Sequence, residues 1–342
     1  METYLRSILQ ELVRIPAPPG GEQELRNFVQ GELEGMGDPM AVDPLGNLIL
    51  PLGKVEEDLP AILLSAHLDE VGIIATHIDD RGFIRFTNLG SLNPGYLLGS
   101  RVRFLTGTEG VISAEGSRKS KRVPDMSKLY IDVGVSSRED CPVRVGDQAV
   151  FQGPYRDAGK RVISRALDDR IGVGILMDLV RKMSKNRADL PHRLIFVFSV
   201  QEEVRRRGIG PAAYQLKPDL GLAVDVTSTG DTPGGKKMEV GLGGGPAVKI
   251  RDQGMLADPR VVSWMIEGAQ ALQIPYQREI LEGGTTEAAN MQVSRSGVPA
   301  GCLSIPCRYV HSPSEMVDWN DVEGALKLLE NLLARPVPLL NS

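Results

Sequence analysis

The chain has 342 residues, which at roughly 150 residues per domain allows two domains or one core carrying a large insertion. Apolar residues make up 42% and charged residues 24%, a balance that excludes a disordered, collagen-like or coiled-coil protein. The 39 basic and 44 acidic residues leave a net charge of −5, without the basic surplus that phosphate neutralisation needs, so a general nucleic-acid binder is not expected.

Leu5, Ile8, Leu9, Leu12 and Val13 recur at helical spacing, and Glu2 stands where a signal peptide needs bases. The segment reads as the first amphipathic helix of a cytoplasmic protein, stopped by Ile15-Pro16-Ala17-Pro18-Pro19-Gly20. A second helix is expected over Glu22 to Met36 and a strand over Ala61 to Ser65. From Val71 the texture changes to short strands and tight turns. Val71 to Ile78 and Phe83 to Asn88 flank the hairpin turn Asp79-Asp80-Arg81-Gly82, and Val102 to Phe104, Val111 to Ser113, Leu129 to Val133 and Ala149 to Phe151 follow. Helix-length periodicity returns at Asp169 to Lys182, Asp258 to Leu272 and Asp321 to Leu333, alternating with strands at Leu194 to Val200, Gly221 to Val224 and Gly301 to Ile305. The pattern predicts an α/β fold, a sheet with helices on both faces, formed by residues 1–70 and 165–342 and interrupted by a small β-rich domain over 71–164. No apolar run approaches the ~20 residues of a membrane-spanning helix. The basic run Arg118 to Arg122 reads as a solvated loop, with docking of an anionic partner or a neighbouring subunit as the alternative.

Three cysteines, Cys141, Cys302 and Cys307, form neither a disulfide framework nor a zinc ribbon and point to a reducing compartment. Histidine is scarcer than this background leads one to expect: only His67, His77, His192 and His311 occur. In open α/β sheets ligands bind beyond the carboxyl ends of the strands. There the chain places His67 and Asp69, then Glu202 and Glu203, then Asp225, and a loop holding His311, while Asp168 and Asp169 open a helix. Each has an ordinary reading alone: Asp168 as a helix N-cap, Glu202-Glu203 as solvated acids, a lone histidine as a packing residue. Together they supply the nitrogen and carboxylate donors that zinc takes. His77 and His192 lack such a setting, and their replacement is expected to matter little.

The segments Ala66-His67-Leu68-Asp69-Glu70-Val71-Gly72, Ala166-Leu167-Asp168-Asp169-Arg170, Gln201-Glu202-Glu203-Val204, Val224-Asp225-Val226 and Arg308-Tyr309-Val310-His311-Ser312-Pro313 resemble the motifs of the M42 metallo-aminopeptidases. This is the glutamyl-aminopeptidase and tetrahedral-aminopeptidase group, some members of which carry an old endoglucanase label. The resemblance spans nearly the whole chain and extends to Asp231-Thr232-Pro233-Gly234, Gly243-Gly244-Gly245-Pro246 and Gly283-Gly284-Thr285. It implies a mixed-sheet, di-zinc exopeptidase-like fold with an inserted PDZ-like dimerisation domain, and dimers that build a tetrahedral dodecamer open only to peptides able to enter. It further implies two divalent ions, zinc first and cobalt or manganese as alternatives. His67 and Asp225 would bind one, Glu203 and His311 the other, and Asp168 would bridge them. Asp69 would hold the His67 imidazole by its second nitrogen. Glu202 would be the general base that takes the proton of a metal-bridging water attacking the scissile carbonyl of a peptide substrate.

Three departures from the family pattern stand out. Arg205-Arg206-Arg207-Gly208 replaces a small residue and a single base, and reads either as surface charge or as a positive rim favouring acidic side chains. Gly283-Gly284-Thr285-Thr286-Glu287-Ala288 replaces the commoner Gly-Gly-Thr-Asp-Ala, so no side-chain preference can be transferred. Cys307, four residues before His311, reads as a small buried residue. The competing functions are a dinuclear-metal hydrolase of other amide bonds, such as a deacylase, and a non-catalytic assembly protein.

Overall fold

Strand-length apolar runs flanked by helices need burial on both faces, and the sheet places them at its centre. In the computed structural model, which describes residues 3–53, 59–116 and 123–340, the strands Arg193–Ser199, Ala61–His67, Leu220–Thr227 and Ala300–Arg308 lie side by side and parallel. Every residue of Ala61–His67 and of Leu220–Thr227 is buried. Arg118 to Arg122 lie outside the described residues.

Antiparallel strands extend this core. Leu48–Leu52 pairs with Arg193–Ser199 and carries Ala41–Val42 beyond it. On the other side Glu315–Asp318, Arg161–Ser164 and Arg156–Asp157 follow Ala300–Arg308, while Ala247–Arg251 joins that same strand near Ser304 and carries Gln277–Ile280. The result, among the described residues, is a mixed sheet of eleven strands. None of these edge strands was expected from the sequence. They have two to five residues, and apart from the apolar Leu48–Leu52 none carries the apolar run that marks the core strands.

Two glycines show helices on both faces. Gly221 pairs with Ala300 and Gly301 with Leu222, so their missing side chains point in opposite directions. A Cβ on Gly221 would stand 3.1 Å from Met291 Cβ, in the helix Ala288–Gln292. A Cβ on Gly301 would stand 2.7 Å from Val261 Cγ1, in the helix Pro259–Ala271. The second helix is Gln23–Glu32, ending four residues short of Met36, because Gly31 and Gly35 weaken the segment and Gly35 adopts φ +77°.

The described residues between 71 and 151 form a separate closed barrel. Its strands Gly72–Ile78, Ile84–Leu89, Leu129–Asp132, Glu109–Ala114, Arg101–Phe104 and Gln148–Phe151 are neighbours in that order, with all pairs antiparallel. The Asp79 to Gly82 turn forms as its composition predicts: Asp79 Oδ1 accepts from the Arg81 and Phe83 N–H groups, each at 3.0 Å. The barrel has its own apolar core, from Val71 to Phe151, distinct from that of the sheet. The chain rejoins the large sheet at Arg156, earlier than residue 165, because Arg161–Ser164 finds its partner in Glu315–Asp318. Among the described residues no helix is long and apolar enough to cross a membrane.

Candidate metal centre

The site assembles at the carboxyl ends of the parallel strands. His67 is the last residue of its strand and is in register with Ser199, and Asp225 lies one strand over. Asp168 and Asp169 stand at the start of the helix Leu167–Met183 with non-helical angles (φ −80°, ψ 106°; φ −116°, ψ 38°), joined by a cis peptide bond. Asp168 does not cap this helix. Asp169 takes that part, its Oδ1 accepting from Gly172 N–H at 3.0 Å. The Asp168 carboxylate is thereby free to lie between two imidazoles: Oδ1 is 3.0 Å from His67 Nε2 and Oδ2 is 3.2 Å from His311 Nε2. His311 Nε2 is 3.3 Å from Glu203 Oε1, and His67 Nε2 is 3.9 Å from Asp225 Oδ1. The structure therefore brings together His67, Asp168, Glu203, Asp225 and His311, five residues spread over 244 positions.

Asp69 is positioned differently from the expectation. The strand ends at His67, so its alternation does not continue, and His67 Nδ1 meets the Asp69 backbone carbonyl at 2.9 Å while the carboxylate Oδ1 is 3.7 Å away. The carboxylate instead accepts from the backbone N–H groups of Glu202 at 2.9 Å and Glu203 at 3.0 Å. These donors lie beyond the strand Arg193–Ser199 and its ladder of hydrogen bonds, and burial requires an acceptor for them.

Three further acids were not singled out as site residues from the sequence. Glu315 accepts from Asp168 N–H at 3.0 Å and from His311 N–H at 2.8 Å, so one buried carboxylate sets two backbones. Its place four residues after His311 was the available signal. Glu22 accepts from Gln201 N–H at 3.1 Å across 179 residues, for which no local signal exists. Asp169 joins His67 and Asp225 in one group of donor atoms within 4.8 Å of one another, and His67, Asp168 and Glu203 form a second such group. Of the residues that depart from the family pattern, Arg206 donates to Asn290 at 2.9 Å and Arg207 to the Val204 carbonyl at 3.0 Å. Glu287 is buried, and Cys307 is buried as expected. His77 lies on the barrel strand Gly72–Ile78, and His192 accepts from Val337 N–H at 2.9 Å, both away from the cluster.

The electrostatics of the cluster call for cations. Burial pushes the Asp168 carboxyl up, but hydrogen bonds and charge from His311 and His67 outweigh it and hold the group well below the usual carboxylate range. Burial disfavours charge on His67 too, yet Asp168, Glu202 and Asp225 lift its pKa well above the usual value. His311, opposed by burial, is pushed up to about 12 by Glu203 and Asp168. Burial and the neighbouring Asp168 raise Asp225 to about 7, and burial raises Glu202 and Asp169 well above the ordinary range. Without ions, the imidazolium protons are the positive charge that balances these acids. Glu203 Oε1 is buried with the His311 imidazole 3.3 Å away as its ion-pair partner. Imidazole and carboxylate donors and excess negative charge together fit divalent metal ions.

The model of the M42 glutamyl aminopeptidase family matches residues 46–328. The chain belongs to this family. A protein of Acetivibrio thermocellus, named as a candidate aminopeptidase, is 40% identical over 331 residues, covering 96% of this chain and 98% of that one. The solved aminopeptidase of the archaeon Desulfurococcus kamchatkensis superposes with a TM-score of 0.91 at 35% identity, over 98% of this chain and 96% of that chain. The Pyrococcus horikoshii TET1 peptidase, described as assembling into a tetrahedron or a large octahedral shell, gives 0.86 at 31%, over 97% and 100% of the two chains. Membership makes this M42 protein a hydrolase of the peptidase class, and the family's metal dependence agrees with the donor set.

Proposed function

We propose that this M42 protein is a metal-dependent aminopeptidase, with His67 and Asp225 holding one divalent ion, Glu203 and His311 a second, and Asp168 shared by both. The observation that carries the reading is the Asp168 carboxylate, with one oxygen turned to each imidazole. Zinc is the first choice of ion, with cobalt or manganese as alternatives. Bound ions would polarise the scissile carbonyl and make the attacking water more acidic.

The remaining steps belong to the chain. Glu202 is 9% exposed, follows the strand that ends beside His67, and has its backbone anchored by Asp69. It takes the proton of the attacking water and returns it to the departing amine. Glu315 and Asp69 keep the loops still during the transfer by occupying their backbone donors. Residues 1–70 and the chain from Arg156 onward would form the di-zinc exopeptidase-like catalytic unit, and the inserted barrel between them would serve as the PDZ-like dimerisation module. The structural likeness to a shell-forming peptidase supports a homo-oligomer built from dimers, the tetrahedral dodecamer included, that admits peptides. Three free cysteines support a cytoplasmic location. A monomer by light scattering would remove the assembly.

Glu202→Gln tests the chemistry. The variant is expected to keep its fold and its ions and to lose about 10²–10⁴-fold in turnover of a free-amine aminoacyl anilide. Near-normal turnover removes Glu202 from the role. An N-acetylated anilide separates the aminopeptidase from an amide deacylase, since only the former needs the free amine.

A further inference from the structure

The inserted barrel approaches the site at Gly90. Gly90 follows the barrel strand Ile84–Leu89 and adopts φ +89°, in the region that disfavours side chains. Conformation is only half of its constraint. A Cβ at this position would stand 3.2 Å from Glu203 Oε2, 3.3 Å from Glu203 Cβ and 2.8 Å from Val71 Cγ1. The Asn88 side chain donates to the Gly90 carbonyl at 2.5 Å and fixes the loop. Two other left-handed glycines of the barrel are unconstrained: around Gly99, φ +84°, and Gly107, φ +95°, nothing lies within 4 Å of the same position.

Glu203 is thereby confined from three directions. Its backbone N–H is held by Asp69, its Oε1 faces His311, and its Oε2 lies 3.2 Å from where a Gly90 Cβ would stand. We infer that Gly90 is a positioning residue for the metal centre: the barrel loop forms the wall that sets the place of the Glu203 carboxylate, so that the inserted domain contributes to ion binding. This rests on the proposed role of Glu203 as a ligand. A ligand set tolerates displacements of only about 0.5 Å, and a methyl group here forces Glu203, Val71 or the loop to move by several tenths.

The test is Gly90→Ala in the full-length chain, stripped of metal and titrated with Zn²⁺ or Co²⁺ against a chelating indicator, with Gly99→Ala as control. Both changes place alanine at a left-handed position, but only the first meets Glu203. Gly90→Ala is expected to weaken binding of one ion by about tenfold or more, the range found when groups that orient ligands are lost, while Gly99→Ala binds both as the parent does. The pair Val71→Ala/Gly90→Ala relieves the closest approach, which keeps the test available if the single variant folds poorly, and is expected to retain the defect. Parental affinity in Gly90→Ala, an equal loss in Gly99→Ala, or restoration by Val71→Ala overturns the inference. A parent chain that binds no ion at all removes the metal reading itself, and this inference with it.

Discussion

Asp69→Asn separates two accounts of that residue. If its carboxylate matters by holding the backbone of Glu202 and Glu203, the amide substitutes poorly. Its single oxygen can accept one of the two N–H groups, now at 2.9 and 3.0 Å, while its NH₂ faces the other, donor against donor. One buried N–H left unpaired costs about 1–3 kcal/mol. If that cost falls on the placement of Glu202 in the transition state, kcat/KM drops by about 5- to 150-fold. The assay is hydrolysis of an aminoacyl anilide at pH 8, above the value of about 7 to which burial pushes the Asp69 carboxyl, so that the ionised form is the reference. His67 should keep its orientation, since Nδ1 rests on a backbone carbonyl that the substitution leaves in place. The decisive measurement is the double variant with Glu202→Gln. Acting through Glu202, the two losses are less than additive. Full additivity, or an unchanged kcat/KM in Asp69→Asn, refutes the reasoning.

The metal-stripped protein should lose stability as pH rises. Asp69 and Asp225 sit at about 7 and Glu315 at about 8, raised by burial in each case, against about 4 in an unfolded chain. The unfolded state therefore releases these protons first. The stability they contribute is whole below about pH 4 and is lost as pH climbs through 7 to 8. Calorimetry should show a lower Tm at pH 8 than at pH 5, with added zinc raising Tm more at pH 8; a flat or opposite profile contradicts it. His77→Ala should leave Tm and activity near parental values. His192→Ala should leave kcat/KM intact but lose about 1–3 kcal/mol of stability in denaturant titration, because the ring nitrogen Nε2 lies 2.9 Å from the Val337 N–H.

The chemistry-bearing residues were legible because the rule that carries them is topological. Parallel strands gather whatever follows their carboxyl ends, and His67, Glu203 and Asp225 each follow or close an unmistakably apolar run. The resemblance to family motifs then assigned a ligand role to each of them and to His311 and Asp168. Hidden from the sequence were the flanking strands, too short to show a periodicity, and the return of the chain to the large sheet by Arg156.

By itself, then, the sequence determined the parallel core, the interruption by a β-rich insertion and the candidate donor residues, because burial periodicity and residue chemistry are local properties of a chain. Only the tertiary structure decided that Asp69 serves the Glu202 and Glu203 backbone, that Glu315 and Glu22 brace the loops, and that Gly90 of the barrel abuts a candidate ligand. Those contacts join residues as far apart as 179 positions. They are set by which buried N–H or carboxylate lacks a partner once every element has packed, and no stretch of sequence carries that sum on its own.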